Sequence, residues 1–156
     1  MIFELHPNLA SKIFLLDLPL CRLLLEDNRH YPWLFLVPRK PNLSKMMDLA
    51  PQDQLQLLQE LDRAQKILWE LFSPKQLNVA AIGNKTPQLH FHVIARQSDD
   101  PAWPATVWDH PVKSSYLPQE KENRVQLLIN AFKGCPLPQK NEVGEKEAPQ
   151  GDVERV

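Results

Sequence analysis

Short apolar runs, separated by polar and proline-marked breaks, fill the first part of this chain. Ile13-Phe14-Leu15-Leu16 and Arg22-Leu23-Leu24-Leu25 flank Asp17-Leu18-Pro19, a pattern that predicts two strands around a turn. Glu26-Asp27-Asn28-Arg29-His30 predicts a polar loop before a third strand, Trp33–Val37. From Pro51 to Phe72 the period changes. Leu55, Leu58, Leu61, Leu68, Leu71 and Phe72 fall largely on one helical stripe, and a proline suits the first turn. The carboxylates Glu60, Asp62 and Glu70 are expected on the solvated side of that helix. Leu77–Ile82 and Gln88–Arg96 predict an antiparallel strand pair. Pro118–Phe132 predicts a shorter helix, with Val125, Leu128, Ile129 and Phe132 on one face and Gly134 as its stop. The expected fold is α+β, an antiparallel sheet of about five strands with one long and one shorter helix. Residues 1–133 form the domain, and 134–156, rich in Pro, Lys, Glu, Gln and Gly, are expected to be a flexible tail.

The fifth strand carries the chemistry. In Gln88-Leu89-His90-Phe91-His92-Val93-Ile94, polar and apolar side chains alternate with period two. Gln88, His90 and His92 project from one face, while Leu89, Phe91 and Val93 enter a core. Alternate strand positions lie ~7 Å apart, so two imidazoles are held side by side on a packed strand. A solvated strand face can carry two histidines without purpose, but the flanks argue otherwise. Arg96 follows, a cation able to hold phosphate. The turn Gly83-Asn84-Lys85-Thr86-Pro87 precedes, with a positive charge and backbone N–H groups that can face an anion.

These residues resemble the histidine-triad family, in which three histidines alternate with apolar residues. The likeness runs from Asn78 through Arg96 and includes Tyr31-Pro32-Trp33-Leu34-Phe35-Leu36-Val37-Pro38-Arg39-Lys40-Pro41, similar to the family's strand ending in proline and basic residues. It extends over roughly the first 110 residues. Gln88 stands where the first histidine would be. The resemblance implies a nucleotide hydrolase or transferase, with a homodimer as its assembly and no cofactor. His90 would attack the α-phosphorus of a dinucleoside polyphosphate or nucleoside phosphoramidate and form a nucleotidyl-histidine. Neutral imidazole suits that role because its ordinary pKa, ~6.5, leaves a lone pair at physiological pH. His92 would contact the phosphate and donate toward the leaving group. Gln88, a donor and acceptor that does not titrate, would support His90. Trp33 replaces a supporting histidine found in many relatives, and Lys85 a small hydroxyl residue. Asp27 is the candidate for a ribose hydroxyl; a polar turn is the alternative reading for Asp27, Asn28 and His30, and the preferred one for His30. Asn78, Lys85 and Arg96 are candidates for contacts to phosphate or its supports. Of the two tryptophans in the proline-rich 99–111 stretch, Trp103 is expected to line the site and Trp108 to pack.

Composition narrows the classes. The chain has 156 residues, enough for one domain with a core, and a net charge of −1, which offers no footprint for bulk nucleic acid. Cys21 and Cys135 fit neither a disulfide framework nor a zinc pattern. No apolar run is long enough for a membrane, and no signal-peptide pattern is evident, so a cytoplasmic protein is expected. Two other classes compete. One is a metal protein using His90, His92 and a third ligand such as His110 or an acid. The other is a nucleotide-binding protein without turnover, suggested by Gln88 and Trp33.

Overall fold

The computed structural model describes residues 1–134. Five strands, β1 (Ile13–Asp17), β2 (Cys21–Leu25), β3 (Trp33–Pro38), β4 (Gln76–Ala80) and β5 (Phe91–Arg96), form one antiparallel sheet in the order β1-β2-β3-β5-β4. The helices are α1 (Pro7–Ala10), α2 (Pro51–Phe72) and α3 (Pro118–Phe132). The five strands and two longer helices lie where the apolar pattern predicts them. The short α1 carries no such pattern. It forms because Pro7 suits a first turn and His6 Nδ1 accepts the Asn8 N–H. The proposed tail, apart from Gly134, lies outside the described residues, as does Cys135.

β3 and β5 occupy the middle of the sheet and are buried along their whole lengths. Their side chains divide between two cores. Leu34, Leu36, Phe91, Val93 and Ala95 join Leu57, Leu61, Ala64 and Leu68 of α2 and Leu128 of α3 on one face. On the other, Trp33, Phe35, Val37 and Ile94 pack with Leu9, Tyr31 and Val107, so the N-terminal segment and the stretch after β5 cover it. His92 is opposite Phe35 in the ladder and shares this second face.

The predicted strand at 88–96 begins later, at Phe91, and β4 ends at Ala80. The last rung pairs Ala80 with His92. Leu89 N–H donates to the Leu43 carbonyl instead of to β4, which draws residues 81–90 into a longer excursion than a tight turn. That excursion opens space beside the histidines.

The apolar stripe of α2 also needs correction. Leu55 and Leu58 are exposed, 65% and 52%, and the helix buries Leu57, Glu60, Leu61, Ala64, Ile67 and Leu68. Glu60 belongs inside because the β1–β2 turn leaves two backbone donors facing α2. Its carboxylate accepts from Leu20 N–H at 3.0 Å and Cys21 N–H at 2.7 Å, and also from Gln56 Nε2 at 2.8 Å. Replacing Glu60 with Ala strands both buried N–H groups, each worth about 1–3 kcal/mol when unsatisfied. Glu60→Ala is expected to lower stability by about 2–4 kcal/mol, whereas Glu70→Ala, on the exposed side, changes it by less than about 0.5 kcal/mol. Urea unfolding midpoints for the two variants check this.

Candidate active site

His90 and His92 are both buried, with ring centroids 5.0 Å apart. Each has one ring nitrogen fixed by a neighbour, and the two neighbours are of opposite kinds. His90 Nδ1 is 2.6 Å from the Gln88 carbonyl oxygen. A carbonyl only accepts, so Nδ1 carries a proton, and in the neutral ring the lone pair is therefore on Nε2. Trp33 Nε1 is 3.0 Å from His92 Nδ1. An indole N–H only donates, so Nδ1 of His92 is the acceptor and its ring proton sits on Nε2. One imidazole thus offers a lone pair and the other an N–H. Burial, reinforced by the charges of His90 and Lys12, pushes the His92 pKa down to about 3.

Both rings line a cavity of about 720 Å³, a volume suited to a nucleotide-sized ligand. Trp33, Phe35 and Trp108 form its aromatic side. The Trp108 ring lies edge-on to His92 at 4.9 Å and to Trp33 at 5.8 Å. Asn8, Ser11 and Lys12 reach it from the N-terminal segment, and Gly83, Asn84, Lys85 and Thr86 from the β4–β5 excursion. Gly83 has φ +73°, a conformation that favours glycine. Lys12, Lys85 and Lys113 place cationic side chains around the cavity, while Glu26 is held by Lys12 at 2.7 Å.

Not every predicted residue comes to this site. Lys85 lines the cavity. Gln88 sits beside it but supports His90 through its backbone carbonyl, whereas its side chain faces the N-terminus. There Oε1 accepts from His6 N–H and Nε2 donates to the Glu4 carbonyl, each at 2.8 Å. With the Asn8 Nδ2 bond to Thr86 Oγ1, this fastens the segment that delivers Lys12.

Arg96 and Asn78 lie outside the cavity. Arg96 is 2% exposed and fully engaged: Nε and Nη2 donate to Asp100 at 2.7 and 3.0 Å, Nη1 to Asn78 Oδ1, and Nη2 also to the Ala105 carbonyl. It organises the loop after β5. Burial alone would raise the Asp100 pKa, but the hydrogen bonds and charge of Arg96 bring it below the ordinary carboxylate range.

Asp27 is exposed and accepts the Tyr116 N–H at 2.9 Å, so it ties a loop while its neighbour Glu26 reaches the cavity. The tryptophan assignments exchange places. Trp103 lies near the Arg96 guanidinium, 5.7 Å from its ring centroid, while Trp108 lines the cavity.

Asn8, Ser11, Lys12, Glu26, Phe35 and Lys113 are cavity residues that sequence reasoning missed. Phe35 had a signal, since period two in Trp33–Val37 places it on the face of Trp33. The others come from separate segments and have none. Among the described residues no group of three or more His, Cys, Asp and Glu side chains is arranged to hold a metal. No helix among them is long and apolar enough to cross a membrane.

An antiparallel five-stranded sheet with one histidine on a central strand and a second immediately before it defines the class, and the chain belongs to the histidine-triad family. A HIT domain is matched over residues 8–99. A histidine triad protein from Bradyrhizobium japonicum is 38% identical with a TM-score of 0.79, over 86% of this chain and 98% of that one. A second, from Marinobacter aquaeolei VT8, is 34% identical with a TM-score of 0.82, over 87% and 100%. A third, from Sinorhizobium meliloti 1021, is 33% identical with a TM-score of 0.75, over 80% and 95%. No curated protein matches the chain.

The His92 environment has a consequence for stability. The unfolded chain takes up a proton on His92 as pH falls through 6.5, whereas the folded protein resists protonation until about 3. The unfolded state then binds more protons throughout that window, so stability falls with falling pH, by up to about 1.4 kcal/mol per pH unit. From about pH 7.5 to about pH 5 the wild-type protein is expected to lose about 2 kcal/mol more than His92→Gln, which keeps an acceptor for Trp33. Urea unfolding at both pH values measures the difference, and equal losses contradict a neutral buried His92.

Proposed function

We propose that this protein cleaves a nucleotide conjugate at its α-phosphate through a nucleotidyl-His90 intermediate. The observation that carries the reading is the Nδ1–H bond of His90 to the Gln88 carbonyl, which leaves Nε2 with a lone pair in a cavity of nucleotide size. Family membership supports the same chemistry. His90 Nε2 attacks phosphorus, and the carbonyl holds the proton of the ring as positive charge develops on it. His92 Nε2–H donates to a phosphate oxygen. Lys12, Lys85 and Lys113 offset the charge of the phosphate chain, and the aromatic side of the cavity provides surfaces for a base or sugar. Substrates of this description include dinucleoside polyphosphates and nucleoside phosphoramidates.

Gln88 in the first motif position is compatible with turnover under this reading, because His90 is oriented by the main chain of residue 88 and not by its side chain. A homodimer has an outlet at β4, one of the two edge strands of the sheet, whose Val79 is 42% exposed. A cytoplasmic setting suits Cys21, a buried free thiol whose pKa burial raises.

Incubation with an activated adenylate, followed by intact-mass analysis, tests the reading. The wild-type protein is expected to show an adenylyl adduct or to release adenylate, and His90→Ala to show neither, with a rate loss of at least about a thousandfold. Adenylate bound by the wild type with neither adduct nor product would establish a binding protein instead. Native mass spectrometry of the same preparation is expected to show two chains, and a single chain contradicts the dimer.

A further inference from the structure

Trp33 does more to His92 than pack against it. Its indole nitrogen is a donor in every state, and it faces Nδ1 of His92 at 3.0 Å. A histidine that delivers a whole proton to a leaving group must first be an imidazolium, with hydrogens on both nitrogens. A hydrogen on Nδ1 would here point into the indole N–H. The surroundings offer nothing to offset this. Phe35 lies at 4.8 Å, Trp108 at 4.9 Å and Trp33 at 5.7 Å from the His92 ring, all of them uncharged. The titratable and charged groups around the cavity are His90, Lys12, Lys85, Lys113 and Glu26, and Glu26 is committed to Lys12. Among the described residues no carboxylate hydrogen-bonds His92.

We propose that Trp33 locks His92 as a neutral Nε2–H donor, and that the site therefore prefers conjugates whose leaving group departs as an anion, a phosphate or polyphosphate, over conjugates whose leaving group needs a proton, an amine or alcohol. This rests on the nucleotidyl-transfer reading and narrows its substrate class. In the first step the His90 Nε2 lone pair forms the N–P bond. The bond from phosphorus to the leaving oxygen breaks, and its electron pair departs on that oxygen. His90 keeps its Nδ1 proton against the Gln88 carbonyl, and His92 keeps its Nε2 proton while hydrogen-bonding to phosphate. Water then attacks phosphorus, the N–P electrons return to Nε2, and a water proton passes to solvent. No step takes a proton from His92. Trp33 is in this account a positioning residue.

The test uses the full chain and three adenylates: the 4-nitrophenyl ester, the phenyl ester and the phosphoramidate of adenosine 5′-monophosphate. The wild-type kcat/KM is expected to fall steeply in that order. Trp33→Phe, which frees His92 Nδ1, is expected to narrow the span between the first and last substrate at least tenfold. An unchanged span, or equal wild-type rates on all three, overturns the inference and leaves histidine catalysis standing. No release from any of the three by the wild type overturns the nucleotidyl-transfer reading, and this inference with it. Because Trp33 is buried and its variant can fail to fold, ¹⁵N chemical shifts of His92 in the wild-type protein provide a second measurement. A bare Nδ1 and protonated Nε2 are expected at neutral pH, and the opposite tautomer overturns the lock.

Discussion

The pairing of β3 with β5 is the constraint on which the rest of the molecule depends. Both strands are buried on both faces, so the register that sets Trp33 against Ile94 and Phe35 against His92 cannot shift by one residue without turning each side chain to the wrong core. In this register Leu34, Leu36, Phe91 and Val93 meet α2, and Trp33 reaches His92 from the neighbouring strand. The same pairing therefore builds the larger core and fixes the tautomer of a cavity histidine.

From that pairing the two imidazoles acquire unlike characters without any carboxylate partner. Residue 88 precedes the ladder, and its free carbonyl turns His90 into a lone-pair donor. Trp33, inside the ladder, makes His92 an N–H donor. A lone pair and an N–H face one cavity from two identical side chains because a carbonyl and an indole N–H have opposite hydrogen-bonding polarity. The Gln88 side chain, released from supporting His90, fastens the N-terminal segment that brings Asn8 and Lys12 to the same cavity.

Elements whose pattern depends on neighbours along the chain were legible in the sequence. The bounds of α2 follow from Pro51 and the leucine spacing, and the period-two run around His90 and His92 located the site. What depends on a distant partner was not. Glu60 reads as a solvated charge until the N–H groups of Leu20 and Cys21 are seen to need an acceptor. Arg96 reads as a phosphate ligand until Asp100, Asn78 and Ala105 are seen to occupy its guanidinium. Trp103 and Trp108 are indistinguishable by residue type, and only the loop that Arg96 organises decides which of them faces His92. Lys12 and Glu26 enter from separate segments, and no local spacing announces them.

The central claim is that phosphate chemistry takes place between His90 Nε2 and His92 Nε2. A crystal structure of the protein with adenosine 5′-monophosphate tests it most directly. The account predicts the phosphate within hydrogen-bonding reach of both Nε2 atoms, with His90 Nδ1 still on the Gln88 carbonyl. A phosphate bound elsewhere, or one that displaces either ring nitrogen from its present partner, would contradict it.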